Sequence, residues 1–189
     1  GWGGPQNLGY PPGGASCGME QCFIAYAIGT GYGVLGDSLH HIDTYYDCYG
    51  YRLKDITRRL NNNPHGHNGK MPTSSAILTQ MSDGAVMTDP DNVWDEPAQG
   101  PGVDAHVYAG LIYDYLLHNL GRNSFNGLRK SMVTTVEVSD TEIKNFASFD
   151  YGLDQVKIYQ AAPDTIQGQV VRRFSYAGCL DVIAQQWGH

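Results

Sequence analysis

Positive charge is scarce in this chain, which has 12 Lys and Arg residues against 19 Asp and Glu, a formal net charge of −7. Nucleic acids and anionic membranes require basic patches, so this balance argues against both as natural partners. Long hydrophobic runs are also lacking, because no segment approaches the roughly 20 apolar residues that a membrane-spanning helix needs. Charged residues make up only 16% of the chain. Its length of 189 residues is enough for one domain with a substantial hydrophobic core.

Glycine and tyrosine are abundant, with 24 and 13 residues, and this balance is typical of a loop-rich extracellular protein. The first residue is Gly rather than Met, and no apolar signal peptide precedes it, so we expect a secreted, processed mature form or a chain that starts at a maturation site. Internal repeats and interdomain linkers are not evident. We therefore predict one domain over residues 1–189, with an irregular lead-in rich in Gly and Pro over residues 1–28.

Cysteine is limited to four residues, an even count compatible with two disulfides in an oxidising compartment. Cys17 and Cys22 are close enough in sequence to close a small loop, which would leave Cys48 to pair with Cys179. Three connectivities are possible, and the sequence does not choose among them. A zinc site of four cysteines is the alternative, but the paired C-x₂-C spacing typical of such sites is missing.

Periodicity predicts an α+β fold with a β-rich body and one long helix over about 104–121. Asp104 would cap the start of that helix, and Gly121 would end it in a left-handed conformation. Its apolar face would consist of Tyr108, Leu111, Ile112, Tyr115 and Leu116.

The predicted strands are short, aromatic or β-branched. We expect strands within Cys22–Leu35, Asp43–Leu53, Ala76–Met87 around a turn at Ser82-Asp83-Gly84, Lys130–Val138 and Gln155–Tyr159. Within Lys130–Val138, one face would carry Met132, Thr134, Val136 and Val138. A final helix over about 179–189 would direct Leu180, Ile183, Ala184 and Trp187 to the core.

The last five residues, Gln185-Gln186-Trp187-Gly188-His189, have the form of an H-E-x-x-H zinc-peptidase helix with its first two residues exchanged. In that motif two histidines one helical turn apart bind zinc, and the glutamate acts as general base. His189 remains as a zinc ligand. Gln185 places a neutral amide at the other ligand position, and Gln186 at the base position cannot accept a proton near neutral pH.

Other stretches in the right order resemble the N-terminal lobe of the thermolysin-like zinc metallopeptidases. They are the glycine-rich GYGVLGD at 31–37, the D-x-T-R turn at 55–58, the D-x-D-N loop at 89–92, the D-A-H-x-Y-A-G helix at 104–110, and the LDVIA run at 180–184. The resemblance implies an α+β lobe that contains the start of the central zinc-motif helix. The C-terminal lobe of the family would be absent.

The resemblance also implies a calcium site, because the D-x-D-N loop holds calcium in thermolysin. Asp89 and Asp91 alternate around a proline, so both carboxylates can face one hard cation, with the backbone carbonyl of Val93 completing the shell. A solvated acidic loop is the alternative. Asp181 also matches a calcium ligand of the family, although a favourable charge at a helix N-terminus explains it better.

The family binds peptides along an edge strand with an N-A-[FY]-W pattern, by adding a strand to the sheet. The nearest stretch begins at Asn145, which would contact substrate together with Ala147, or would be a turn residue. His65 and His67 form an H-x-H pair that fits a solvated loop better than a metal site. His106 and His118 are predicted to be structural.

Two functions fit these residues. The first is the N-terminal portion of a secreted thermolysin-like zinc metalloendopeptidase, inactive here, whose family acts on peptide or protein substrates. Zinc binding would be weak or absent, and calcium binding is possible. The second is an extracellular structural or peptide-binding module that self-assembles or pairs with another chain, which could complete the cleft in place of the C-terminal lobe. The chain could also be a fragment of an active parent in which the two glutamines are uncertain assignments.

Overall fold

The computed structural model describes residues 25–47, 49–58, 76–140, 142–166, 169–173 and 175–188. In chain order the strands are β1 (Ala25–Tyr32), β2 (Ser38–Asp47), β3 (Gly50–Arg52), β4 (Lys54–Asp55), β5 (Ile77–Gln80), β6 (Thr88–Asp89), β7 (Val93–Trp94), β8 (Met132–Val138), β9 (Ala147–Asp150), β10 (Gln155–Tyr159), β11 (Pro163–Ile166) and β12 (Gln169–Arg173). The helices are α1 (Gly100–Leu120) and α2 (Leu180–Gly188), with a 3₁₀ turn at Tyr176–Gly178.

Two five-stranded sheets form the body of the domain. The first has the order β6-β3-β2-β1-β7 and is built on the antiparallel β1–β2 hairpin. The second has the order β4-β5-β8-β10-β9, in which β5, β8 and β10 run parallel and β9 returns antiparallel beside β10. Helix α1 packs against strands of both sheets and against α2. The α+β class predicted from periodicity is therefore confirmed.

Helix α1 begins four residues earlier than predicted. It starts at Gly100, and Pro101 is tolerated in the first turn because the backbone N–H groups there have no partner within the helix. The last helical residue is Leu120, and Gly121 caps the helix with a φ of 63°, which confirms the predicted left-handed stop. The assignment of Asp104 as the helix cap is wrong. Asp104 lies inside the helix, and its carboxylate accepts a hydrogen bond from the backbone N–H of Val34 at 2.7 Å.

The buried face of α1 also differs from the prediction. Leu111 is 50% exposed and Tyr115 is 58% exposed, whereas Ile112 and Leu116 are buried as expected. The contact face instead uses small residues with one large ring, namely Ala105, Ala109 and Tyr113. Small side chains let the helix approach both sheets closely, and a pattern based on large apolar residues misses such a face.

Several strand predictions are confirmed. Met132, Thr134 and Val136 alternate along β8 and are completely buried, as the period of two requires. Val138, predicted on the same face, is only half-buried, because Glu137 before it has a φ of 55° that interrupts the extended strand. The turn at Ser82-Asp83-Gly84 is present, with Gly84 at a φ of 83°. The β11–β12 hairpin was not predicted. Among the described residues, no helix is both long and apolar enough to cross a membrane.

Candidate functional site

A groove lies between the edge strand β9 and helix α2, and encloses a cavity of about 630 Å³. Strand β9 is the last strand of its sheet, paired on one side with β10. An edge strand offers unpaired backbone N–H and C=O groups on its other side, which can pair with an extended peptide. The groove therefore combines a main-chain recognition edge with a helix wall.

Helix α2 turns Gln185 and Gln186 toward this groove, where both side chains line the cavity. Its opposite side is held in the core by Ile183 and Trp187, which are 0% and 1% exposed. The Trp187 ring packs against that of Phe125, with ring centroids 5.1 Å apart. Because residues 183 and 187 are one helical turn apart, their burial fixes the rotation of the helix about its axis. Leu180, which was expected to face the core, is 42% exposed.

The predicted substrate residues Asn145 and Ala147 line the same groove. Ala147 pairs with Ile158 at the start of β9. Asn145 has a positive φ of 49°, and its Oδ1 accepts a hydrogen bond from the N–H of Ala162 at 2.8 Å. Its side-chain oxygen is therefore engaged within the chain, which fits the turn alternative better than direct recognition of a ligand.

Four aromatic residues that were not predicted as site residues also line the groove. Phe149 is half-buried, whereas Phe146, Tyr151 and Tyr176 are 49%, 71% and 38% exposed. The aromatic spacing of the stretch that begins at Asn145 was the available signal, but Tyr176 lies far from it in sequence. None of the described lining residues carries a charge at neutral pH, so the groove offers rings, amides and backbone groups.

A family model for the thermolysin metallopeptidase catalytic domain matches residues 28–156, about two-thirds of the chain. The chain belongs to this family. It is 30% identical over 172 residues to the thermostable neutral protease NprT of Geobacillus stearothermophilus, a match that covers 81% of this chain and 30% of that protein. It is 33% identical over 170 residues to bacillolysin of Brevibacillus brevis, with 88% and 27% covered. The chain thus spans less than a third of the length of these thermolysin-family relatives.

Among solved structures, the chain is similar to the precursor of protealysin, a metalloproteinase from Serratia proteamaculans. That match has a TM-score of 0.42 and 15% identity, and covers 66% of this chain and 37% of that chain.

The two predicted zinc-motif positions on α2 offer poor donors for zinc. Gln185 is exposed and Gln186 is half-buried, and both side chains are neutral amides, whereas the H-E-x-x-H motif predicts an imidazole and a carboxylate at these positions. An amide oxygen is a weak ligand for Zn²⁺ compared with an imidazole nitrogen. His189 lies outside the described residues. No step of zinc chemistry is therefore assigned to these positions.

The loop predicted to bind calcium is closed by hydrogen bonds to one buried carboxylate. Asp89 is 5% exposed, and its Oδ1 accepts hydrogen bonds from the N–H groups of Asp91 and Asn92 at 3.0 and 2.6 Å. Its Oδ2 accepts the Gln99 amide at 2.8 Å. Burial raises the pKa of Asp89, but these donors together hold it below its usual value, so the carboxylate stays ionised. Both oxygens of Asp89 are therefore engaged by donors of the chain itself, and calcium binding by this loop stays a prediction.

The other predicted positions vary in what surrounds them. Val93 is 42% exposed, and its carbonyl accepts the N–H of Asp95 at 2.9 Å. Asp181 lies in the first turn of α2, where its charge meets the helix dipole favourably.

Cys179 is half-buried, and it has no disulfide partner among the described residues. Burial raises the pKa of its thiol, as do the charges of Asp181 and Asp104. The remaining predicted positions, Cys17, Cys22, Cys48, His65 and His67, lie outside the described residues.

His106 is structural, as expected. It is 2% exposed, and its Nε2–H donates to the backbone carbonyl of Asp43 at 2.7 Å. Its Nδ1 therefore accepts from the hydroxyl of Thr79 at 3.1 Å. This ring links α1 to one strand of each large sheet, and burial lowers its pKa.

Proposed function

We propose that this chain is the N-terminal portion of a secreted thermolysin-like metallopeptidase that has lost peptide hydrolysis and keeps its groove. The observation that carries the proposal is the position of Gln185 and Gln186, which face the same cavity as the edge strand β9. A neutral amide at the base position cannot take a proton from water near neutral pH. A peptide that enters the groove therefore meets recognition groups without a general base.

Zinc content and hydrolysis of a fluorogenic peptide, measured on the same preparations, test this loss. We compare the 189-residue chain with the double variant Gln185→His/Gln186→Glu, and use Asn119→Asp, at an exposed position on α1, as a control for added charge. The original chain should bind little zinc and hydrolyse nothing. The double variant should gain zinc affinity, because the histidine introduced at position 185 and the existing His189 place two nitrogen ligands on one helix face. It should gain no hydrolysis, because two protein ligands do not complete a catalytic zinc site. Zinc-dependent hydrolysis by the original chain would refute the proposal.

The second candidate is an extracellular module that binds peptides without cleaving them. It is favoured by the uncharged groove beside β9, since a charged ligand side chain would lose water there without finding a partner. We therefore expect uncharged, extended peptides to bind best. Backbone pairing would supply affinity, and the half-exposed rings of Phe146 and Tyr151 would supply apolar contact.

Fluorescence anisotropy with labelled peptides separates this candidate from an inert fragment. Tyr151→Ala should weaken binding severalfold without unfolding the chain, because the ring is largely exposed. Tyr49→Ala is the matched control, as Tyr49 is 85% exposed and does not line the groove. A monomer in sedimentation that ignores every peptide would remove this candidate and leave the disabled peptidase portion.

We also propose a calcium site, disulfides and a partner surface for this chain. Asp89 and Asp91 would hold calcium with the Val93 carbonyl, so added Ca²⁺ should raise the thermal midpoint and Asp91→Asn should reduce that rise.

Intact mass before and after alkylation counts the disulfides expected for a secreted chain. A C-terminal lobe or a second chain would close the groove, and tighter peptide binding on its addition would support that role.

A further inference from the structure

Asp104 is a buried carboxylate with one unpaired oxygen. The residue is 1% exposed and lies within α1, where its Oδ2 accepts the N–H of Val34 at 2.7 Å. Its Oδ1 is buried and has no hydrogen-bond partner in the described part of the chain. A buried ionised oxygen without a donor is costly, so this atom requires a proton or a positive charge.

A second carboxylate faces Asp104 across Gly33, in the turn that joins β1 to β2. The turn is closed by a hydrogen bond from the N–H of Gly33 to the carbonyl of Asp37 at 3.0 Å. A Cβ at Gly33 would stand 2.2 Å from Oδ1 of Asp104 and 2.8 Å from Oδ1 of Asp37. The two carboxylates therefore converge on the space that the missing side chain leaves.

The other titratable groups that face Asp104 do not supply a positive charge. They are Tyr108 on α1 and Cys179 ahead of α2. No ion pair found within the described residues involves Asp104 or Asp37. Burial raises the pKa of Asp104 to about 6, and the charge of Asp37 adds to this rise, while the Val34 N–H opposes it. A proton is thus the counter-charge that the surroundings favour.

We propose that a proton on Asp104 holds the β1–β2 turn against helix α1 by removing the repulsion between Asp104 and Asp37, and that the turn loosens when this proton leaves. Below about pH 4 Asp104 is protonated and carries no charge that could repel Asp37. As the pH rises, this proton passes to solvent, and two carboxylates then repel each other across Gly33. The hydrogen bond from Val34 remains but must act against that repulsion.

The sign of the effect follows from the direction of the shift. The pKa of Asp104 in the folded chain lies above the usual 3.8, so its stabilising contribution is complete below that value and is lost as the pH rises through about 6. This direction is opposite to that of an ordinary ion-paired aspartate.

The position of the turn extends the effect beyond the hairpin. A Cβ at Gly178, two residues before α2, would stand 3.2 Å from the Val34 side chain and 3.3 Å from Oδ2 of Asp104. The turn therefore packs directly on the segment that leads into the groove helix. Residues of the turn, including Gly33 and Gly36, also line a separate cavity of about 820 Å³. Loosening of the turn would change the wall of that cavity.

Hydrogen exchange of the Val34 amide, followed by NMR on the 189-residue chain and corrected for intrinsic exchange, tests the proposal. A pKa shift of about two units corresponds to a roughly 100-fold change in the opening equilibrium, so protection should fall by up to that factor between about pH 4 and pH 8. Asp104→Asn should make the protection independent of pH, since its amide oxygen can still accept from Val34 and the side chain never acquires a charge that repels Asp37. Asp83→Asn, an exposed turn carboxylate with the same charge change, should leave the pH profile unaltered.

If Asp104→Asn fails to fold, NMR titration of the Asp104 carboxyl carbon in the original chain tests the proposal instead. The midpoint should lie near 6 in the original chain and should move down in Asp37→Asn. A midpoint at the usual aspartate value, or one that Asp37→Asn does not move, would overturn the proposal. Restoration of Val34 protection at about pH 8 by millimolar Ca²⁺ would also overturn it, in favour of a cation at the same carboxylates.

Discussion

Arg58 is predicted to be a main electrostatic support of the fold, and its replacement by Met tests this role. Its Nη1 donates to Asp43 at 2.9 Å and to Asp55, while its Nε and Nη2 donate to the two oxygens of Asp114 at 3.0 and 2.8 Å. The three carboxylates lie on β2, β4 and α1, so one guanidinium joins a strand of each large sheet to the long helix. Burial alone would lower the pKa of Arg58, but the bonds to Asp114 and Asp55 raise it.

The magnitude follows from which charges would be left behind. Asp55 is 1% exposed and Asp43 is 13% exposed in its side chain, whereas Asp114 at 41% is screened by water. Removal of one partner from a buried ion pair typically costs about 3–5 kcal/mol, because the remaining charge is uncompensated. Arg58→Met should therefore lower the free energy of unfolding by about 3–5 kcal/mol, mostly through Asp55 and Asp43.

Urea unfolding at several pH values is the assay, with the exposed Arg122→Met as a control expected to change stability by less than about 0.5 kcal/mol. The hydrogen bonds from Tyr26 and Arg58 outweigh burial and lower the pKa of Asp43. Its contribution is therefore present above the usual 3.8 and lost as the pH falls through its folded value. The deficit of Arg58→Met should be largest near neutral pH and shrink in acid. A deficit below about 1 kcal/mol, or one that is independent of pH, would refute this role.

Three further changes test other supports of the fold. Trp187→Ala should lower the unfolding free energy by about 3–5 kcal/mol in urea, and Leu180→Ala by far less, because only Trp187 is buried. Burial lowers the pKa of His106, so the ring resists protonation in the folded chain, and its contribution to stability is lost as the pH falls below the usual histidine pKa of 6.5. His106→Gln should remove this loss and give a flatter profile of stability against pH in calorimetry. Gly31→Ala should lower the thermal midpoint by several degrees, since its Cβ would stand 2.5 Å from the Trp94 carbonyl, and an unchanged midpoint would contradict that contact.

Local patterns predicted those elements whose burial follows one period. Strand β8 is an example, because residues 132, 134 and 136 alternate on one buried face. The start of α1 was not predicted. Asp104 is a residue type that often caps helices, but its carboxylate accepts a hydrogen bond from the backbone of Val34, 70 positions earlier in the chain. A contact at that separation leaves no trace in a sequence window. The same holds for Tyr176, which reaches the groove only because the 3₁₀ turn packs beside α2.

The geometry of α2 explains how a change at the groove positions can leave the fold intact. Ile183 and Trp187 fix the helix in the core, whereas Gln185 is exposed on the far side and Gln186 is half-buried beside the groove. An exchange at residues 185 and 186 therefore changes the donors offered to a ligand and leaves the packing of Trp187 against Phe125 and Phe149 intact. Stability and catalysis are separable on this helix, so a well-folded groove is no measure of activity. The experiment that ranks the two proposed functions is consequently peptide binding and zinc content measured together, because thermal stability alone would be the same for both.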